Sequence, residues 1–268
     1  MRIRATVAAV TGALALSAFA VPAAQAAPAA APDVTFTKVT INNGKPIVAR
    51  AAATTSVPVT YTFKHAAGLD IGSDNLLTGP ALYVGASLSV DNIRLIGDEP
   101  GTCTATSTTT ASCKGFIDLH AGGDEANLRN TDARTWKVGA IAISTTDEDG
   151  IKTQSGLGTT QIKFHSKLTT DATPEPVSKG ATITVKGTLT RANWDTSKYG
   201  GYVNAPVTLQ FKKKGATTFT TVKTVKAGAA GALKTTVKAS VDGTYRYAFA
   251  GSATTAPINA VGDVIDVK

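Results

Sequence analysis

The chain has 268 residues, 43% of them hydrophobic but only 6% aromatic, and its 27 Lys and Arg against 19 Asp and Glu give a formal net charge of +8. No run of 18 apolar residues follows the first 26, which excludes a later membrane-spanning helix, and few windows repeat apolar residues at i, i+3, i+4 and i+7. Abundant Thr, Val and Ile punctuated by Gly and Asp favour an all-β chain; the same Ala, Gly and Thr would suit a disordered stalk were it not for the period-2 alternation below.

"MRIRATVAAVTGALALSAFAVPAAQA" opens with Arg2 and Arg4, continues with an apolar segment from Ala5 to Val21 and ends in small residues. That order predicts a secretory signal peptide over residues 1–26, cut after Ala26. Ile3 separates the arginines, against a twin-arginine signal, and no cysteine follows to carry a lipid, so the general secretory route is expected. A retained anchor is the alternative, but Gly12, Ser17 and Pro22 interrupt the segment. Cleavage leaves 242 residues, one large domain or two of ordinary size, released as a secreted, extracellular protein with no transmembrane segment. Residues 27–32, "APAAAP", read as a flexible leader.

A first β-sandwich domain is expected over 33–165. "DVTFTKVTI" alternates with a phase slip that a β-bulge would explain, and "PVTYTF" puts Val59, Tyr61 and Phe63 on one face. "ALYVGASL" offers a third strand. "TWKVGAIAIS" alternates at first and is apolar on both faces in its second half, which suits a central strand. Between them lies "GTCTATSTTTASCKGFIDL". If Ser107 to Thr109 form a hairpin loop, Thr106 faces Thr110, Thr104 faces Ser112 and Cys103 faces Cys113, about 4.5 to 5.5 Å apart at Cα and within reach of a disulfide. An exported chain meets an oxidising environment, and a loop of this size stabilises by about 2.5 to 3 kcal/mol in the chain-entropy account. A metal pair or redox dithiol is the alternative use, but the spacing is not CxxC and no histidine is near.

The second domain is expected over 166–268. Pro174 and Pro176 in "TTDATPEPVSKG" mark an edge strand or an interdomain approach. "ATITVKGTL", "APVTLQF", "TFTTVKTVKA", "GALKTTVKAS", "GTYRYAFAG" and "AVGDVIDVK" follow, the strand count of an immunoglobulin-like sandwich. "TDARTWKVGAIA" and "VDGTYRYAFA" share a pattern, placing Trp136 and Tyr245 where sandwich domains keep a corner aromatic.

"VTLQFKKKG", "TTVKTVKAGAAGALKTTVKAS" and "DGTYRYAFAGSATTAP" resemble bacterial Ig-like domains of secreted actinomycete proteins, and the cysteine hairpin with "TWKV" and "DEDG" is similar to the domain that precedes them. This resemblance covers most of the chain after the leader and implies two immunoglobulin-like β-sandwich domains in tandem, with export. It carries no catalytic residue.

Charge divides the halves. Residues 27–166 hold 11 Lys and Arg against 13 Asp and Glu, net −2, whereas 167–268 hold 14 against 6, net +8. A basic domain outside a cell favours anionic cell-wall polymer or polysaccharide through long-range attraction, and Lys212, Lys213, Lys214, Lys223 and Lys226 are its candidate ligand-binding residues. Lysines on wet strand positions also guard sheet edges without binding anything. Few aromatics interleave with them, against stacking on single-stranded nucleic acid. In "LQFKKKG" the alternation makes Lys212 outward and ends the strand near Lys213, and Lys234 and Lys238 are expected to share the sheet of the return strand that carries Lys223 and Lys226.

His65, His120 and His165 lie far apart without zinc spacing, and no GxSxG, P-loop or GxGxxG is present, so no catalytic residue and no enzymatic activity is expected. "TTDEDGIKT" clusters Asp147 and Asp149 before Gly150, oxygen ligands of the kind calcium takes, though without the full calcium-loop pattern. No other cofactor is expected. The leading expectation is a non-enzymatic binding or structural protein at the cell envelope. The alternatives are a calcium-binding module and a secreted hydrolase or inhibitor working near Asp118, Asp124 or Asp147. In the calcium reading, calcium raises the melting temperature and Asp147→Ala with Asp149→Ala removes the rise; a melting temperature indifferent to calcium contradicts it.

Overall fold

The computed structural model describes residues 31–72, 74–123, 126–146 and 150–268. The expected signal peptide, most of the expected leader and the candidate residues Asp124, Asp147 and Asp149 therefore lie outside the described residues.

In the first sandwich one sheet is built from β1 (Val34–Ile41), β3 (Thr54–His65), β6 (Thr102–Ser107) and β7 (Thr110–His120), in the order β1-β3-β7-β6. β2 (Ile47–Ala49), β4 (Leu76–Tyr83), β5 (Ile93–Ile96), β8 (Thr135–Ser144), β9 (Ile151–Gln154) and β10 (Thr159–Phe164) form the other, in the order β2-β10-β8-β4-β5 with β9 beside β8. The slip in "DVTFTKVTI" is a bulge between Phe36 and Lys38, so Val34 and Phe36 reach the core on one side of it and Ile41 on the other. Val59, Tyr61 and Phe63 are all buried. β8 lies centrally, with Ala140, Ile141 and Ala142 closed off on both faces.

Two local expectations change. The third strand begins at Leu76, about five residues before the expected start at Ala81, runs through Gly79 and Pro80 and ends at Tyr83. Proline fits because β5 pairs only from Ala81 onward, so on that side of residue 80 no ladder needs its missing N–H. The cysteine hairpin turns on Thr108 and Thr109 alone, and the ladder shifts between Ala105 and Ser107, so Ser107 rather than Thr106 faces Thr110. Cys103 still faces Cys113, and the disulfide forms with the Cα atoms 4.1 Å apart.

The second sandwich repeats the scheme. β11 (Ser166–Leu168), β12 (Asp171–Thr173), β13 (Thr182–Asn193), β14 (Lys198–Gly201) and β17 (Ala232–Lys238) share a sheet centred on β13. β15 (Pro206–Lys213), β16 (Thr220–Lys226), β18 (Gly243–Phe249), β19 (Ile258–Asn259) and β20 (Asp263–Ile265) share the other, with β18 between β15 and the last two. Pro174 and Pro176 follow the edge strand β12. In both units the chain first pairs antiparallel on one sheet, then meets the last strand in parallel: Ile47–Ala49 beside β10, and Val177 beside Val267.

Each core is crossed by one tyrosine hydroxyl. Tyr61 donates to the carbonyl of Thr78 at 2.8 Å, and Tyr247 to that of Val185 at 2.9 Å, so each ties its own sheet to the facing one. Burial pushes both phenols up to about 12. Gly101 makes room for the first: a Cβ there would meet the Tyr61 hydroxyl at 2.0 Å. The corner position is filled unequally. Trp136 donates its indole N–H to the carbonyl of Asp132, four residues upstream, whereas Tyr245 stacks on Phe211 at 4.6 Å.

The cores meet through β13. Ile183, Val185 and Leu189 belong to the second core, but Ala192 and Trp194 are buried in the first. Trp194 stacks on Phe164 at 4.3 Å and donates to the carbonyl of Ala49 at 3.3 Å. Truncating a buried tryptophan costs about 3 to 5 kcal/mol. Trp194→Ala should therefore lower the urea midpoint of the first sandwich, read by Trp136 fluorescence, although the residue lies in the turn between β13 and β14 of the second. An unchanged Trp136 transition would show that the two cores are not coupled.

Candidate functional site

The five candidate lysines do not form one cluster. β15 alternates Val207 and Leu209 inward against Thr208, Gln210 and Lys212 outward, and the strand ends at Lys213 as the alternation predicts. Beyond it Lys214 pairs with Asp242 at 3.1 Å. The hollow at this tip, of about 280 Å³, is lined by Lys212, Lys213 and Lys214 but also by Asp242 and Asp266, so its charge is mixed. Lys223 takes the inward phase opposite Leu209 and donates to the carbonyl of Thr236 at 2.8 Å, closing the side of the sandwich between β16 and β17. Lys226 is exposed opposite Pro206. Lys234 and Lys238, expected on the sheet of β16, stand on β17 in the facing sheet, because the chain crosses over between the two strands.

Two residues of the outer face went unnoticed in the sequence. Arg246 lies opposite Gln210 and donates to its amide oxygen at 2.8 Å. Its guanidinium covers the Phe219 ring at 3.8 Å, with the Lys212 ammonium 5.1 Å from the same ring. The outward phase of "TYRYAF" already pointed Arg246 to this face; the fold-back of Phe219 over two cations is tertiary and had no local signal. Such stacking holds long cationic side chains in place at little entropic cost and leaves their charge outward.

A second group of cations gathers where the sandwiches meet. His165 accepts or donates one hydrogen bond with the Tyr199 hydroxyl at 3.0 Å, and Lys167 covers the Tyr199 ring at 3.8 Å. Burial lowers the His165 imidazole from its usual range, and Arg50 and Lys167 lower it further. Arg50 and Lys167 thus place positive charge close to His165.

On the exposed face of β3 and β7 a polar row runs from Thr54 to His120 at 3.1 Å and on to Asp98 at 2.9 Å, with Ser56 bonded to Asp118 beside it. The order hydroxyl, imidazole, carboxylate is that of an acyl-transfer relay. Here, however, the hydroxyl belongs to a threonine directly opposite His120 in the ladder and Asp98 is 54% exposed, so water screens the pair. Cross-strand pairing explains the row. Among the described residues, no three His, Cys, Asp or Glu side chains converge to hold a metal ion, and no helix is long and apolar enough to cross a membrane.

No protein-family model matches the chain and no curated protein is similar to it. Among solved structures, the I-band fragment I67–I69 from titin aligns over 90% of this chain and 67% of its own, at 12% identity and a TM-score of 0.34. The adhesin InvE of Yersinia pseudotuberculosis aligns over 87% and 58%, at 12% and 0.26, and the D00–D0 domain of intimin over 85% and 98%, at 15% and 0.27. The assignment as immunoglobulin-like sandwiches rests on the strand pairing above.

Asp242 offers a test of the tip geometry. The Val267 backbone N–H, and then Lys214, hold its carboxyl below the usual carboxylate value. Its ionised form therefore favours the fold: the contribution is complete above the unfolded value and is lost as pH falls through the folded one. Thermal melts from about pH 6 to about pH 2.5 should show a shallower acid loss for Asp242→Asn than for the parent chain. Identical acid limbs would mean that these bonds do not form in solution.

Proposed function

We propose that this is an extracellular, non-enzymatic binding or structural protein acting at or near the cell envelope, where its basic second sandwich meets anionic polymers. The observation that carries this reading is the segregation of charge, net −2 over residues 27–166 and +8 over 167–268, between two sandwiches that share a buried seam. Lys212 and Arg246 are held on the face of a sheet by Phe219, and Lys213 and Lys226 have no ion-pair partner among the described residues. Cations spread over both outer faces give a long-range attraction of low specificity, suited to a polymer of repeated negative charge. The polar row and the mixed-charge tip supply no nucleophile activated in a dry pocket, and the apolar segment after Arg2 and Arg4, read as a secretory signal, supports an extracellular site of action.

Retention of the chain on purified cell wall should fall between about 50 mM and about 500 mM salt, because charge attraction between exposed groups is screened over that range. Changing Lys212, Lys213 and Lys214 together to Gln should weaken retention at low salt, with most of the loss from Lys212 and Lys213 because Lys214 already faces Asp242. Retention that ignores both salt and these substitutions would overturn the proposal.

A further inference from the structure

The junction holds a cation that the folding of the chain does not fully use. Arg191 sits on β13 between the part of the strand that serves the second core and the part that enters the first. Its guanidinium carbon is 4.9 Å from the Phe164 ring centroid and 4.4 Å from that of Tyr202. Ring stacking occupies the faces of the guanidinium and leaves its edge, where the five N–H donors lie. Only one contact is made there, a long one of 3.5 Å from Nη1 to the Thr255 hydroxyl. Among the described residues no carboxylate pairs with it. A half-buried guanidinium without an acidic partner is an unusual expense in a folded chain, since each donor taken from water needs a replacement.

Its surroundings suit a ligand. Arg191 lines a cleft of about 380 Å³ with Asn130, Asn193, Gly200, Gly201 and Thr254. Asn193 uses its amide oxygen to accept from Asn130 and from the backbone N–H of Thr196, which leaves its NH₂ as a donor to the cleft, and the Thr254 hydroxyl makes no bond among the described residues. Gly200 lies directly opposite Arg191 in the ladder, and a Cβ there would meet nothing within 4 Å. The cleft therefore offers one fixed cation, neutral donors and a side wall without side chains.

We propose that this junction cleft binds a carboxylate group of an acidic polysaccharide, with the Arg191 edge as the fork that receives it and Asn193 and Thr254 as donors to neighbouring sugar oxygens. Planar, two-oxygen recognition is the geometry in which a guanidinium exceeds an ammonium. A single fixed charge matches a single carboxylate better than a cluster of phosphates. The inference rests on the reading of the chain as a binder of anionic polymers and moves the specific contact away from the lysine tip.

The test is titration calorimetry of the chain from Ala27 to Lys268 with a trimer of galacturonate at about 300 mM salt, where attraction from exposed lysines is largely screened. Arg191→Lys keeps the charge but not the fork and should weaken binding about tenfold, equivalent to about 1.4 kcal/mol. Gly200→Asp, which places a carboxylate opposite Arg191 without a packing clash, should abolish binding while the melting temperature holds or rises, so a folding defect in the first variant leaves the second to decide. Lys64→Gln with Lys114→Gln, exposed on the first sandwich, should change the affinity less than about twofold. No trimer binding, or binding indifferent to both Arg191→Lys and Gly200→Asp, overturns the cleft; if salt-sensitive retention on cell wall survives that result, the broader reading stands, and if retention is also absent, both fall. Arg191-dependent binding of a glycerol phosphate trimer in place of the galacturonate overturns the carboxylate assignment.

Discussion

Burial of Trp194, in the turn that follows β13, within the core of the first sandwich is the constraint on which the arrangement depends. β13 serves two masters: its first two-thirds present Ile183, Val185 and Leu189 to the second sandwich, and its end and the turn after it carry Ala192 and Trp194 into the first. Asn130 reinforces the crossing, accepting from the backbone N–H of Trp194 and donating to Asn193, while its own N–H reaches Asp195. From the other side, residues 254–256 bond to both the N–H and the carbonyl of Phe164. A linker between sandwiches would leave their orientation free, whereas a shared tryptophan fixes it. The position of the basic faces and the existence of a cleft beside Arg191 both follow from that seam.

Within each sandwich the chain solves the same problem twice with different residues. Two sheets facing each other across apolar side chains have no directional bond between them, and a tyrosine hydroxyl supplies one. Tyr61 reaches from the sheet of β3 to the carbonyl of Thr78, and Tyr247 from the sheet of β18 to that of Val185. The direction of reach is opposite in the two units.

Period-2 alternation made the strands legible where one face is wet, as in "PVTYTF", "TWKVGAIAIS" and "APVTLQF". It also gave the register that brings Cys103 opposite Cys113. It misjudged the hairpin loop by one residue, since Thr106 and its neighbours are all threonine, alanine or serine and nothing in their polarity marks a bulge. The strand over Leu76–Tyr83 was harder to read because its residues are buried on both faces and Gly79 and Pro80 look like a break. Lys223 is exposed, and a local pattern cannot show that its ammonium also reaches the Thr236 carbonyl. Arg191 drew no notice in "TLTRANW": its stacking partners Phe164 and Tyr202 and the empty ladder position at Gly200 converge only through the fold. Tandem sandwiches, disulfide and charge division were thus written in local patterns, and the junction was not.

The parallel pairing of first and last strands has a mechanical consequence. In the first unit Ile47–Ala49 runs beside Ile162–Phe164, extended by the bond from His165 N–H to the Ala49 carbonyl at 2.9 Å. In the second, Val177 and Lys179 alternate with Asp266 and Lys268 in the same sense. Were the chain drawn taut from its two ends, the load would slide these strands past one another, stretching the bonds of each patch together instead of opening them one after another as in a zipper. Entry and exit of each sandwich are thus clasped side by side by backbone bonds that share one direction.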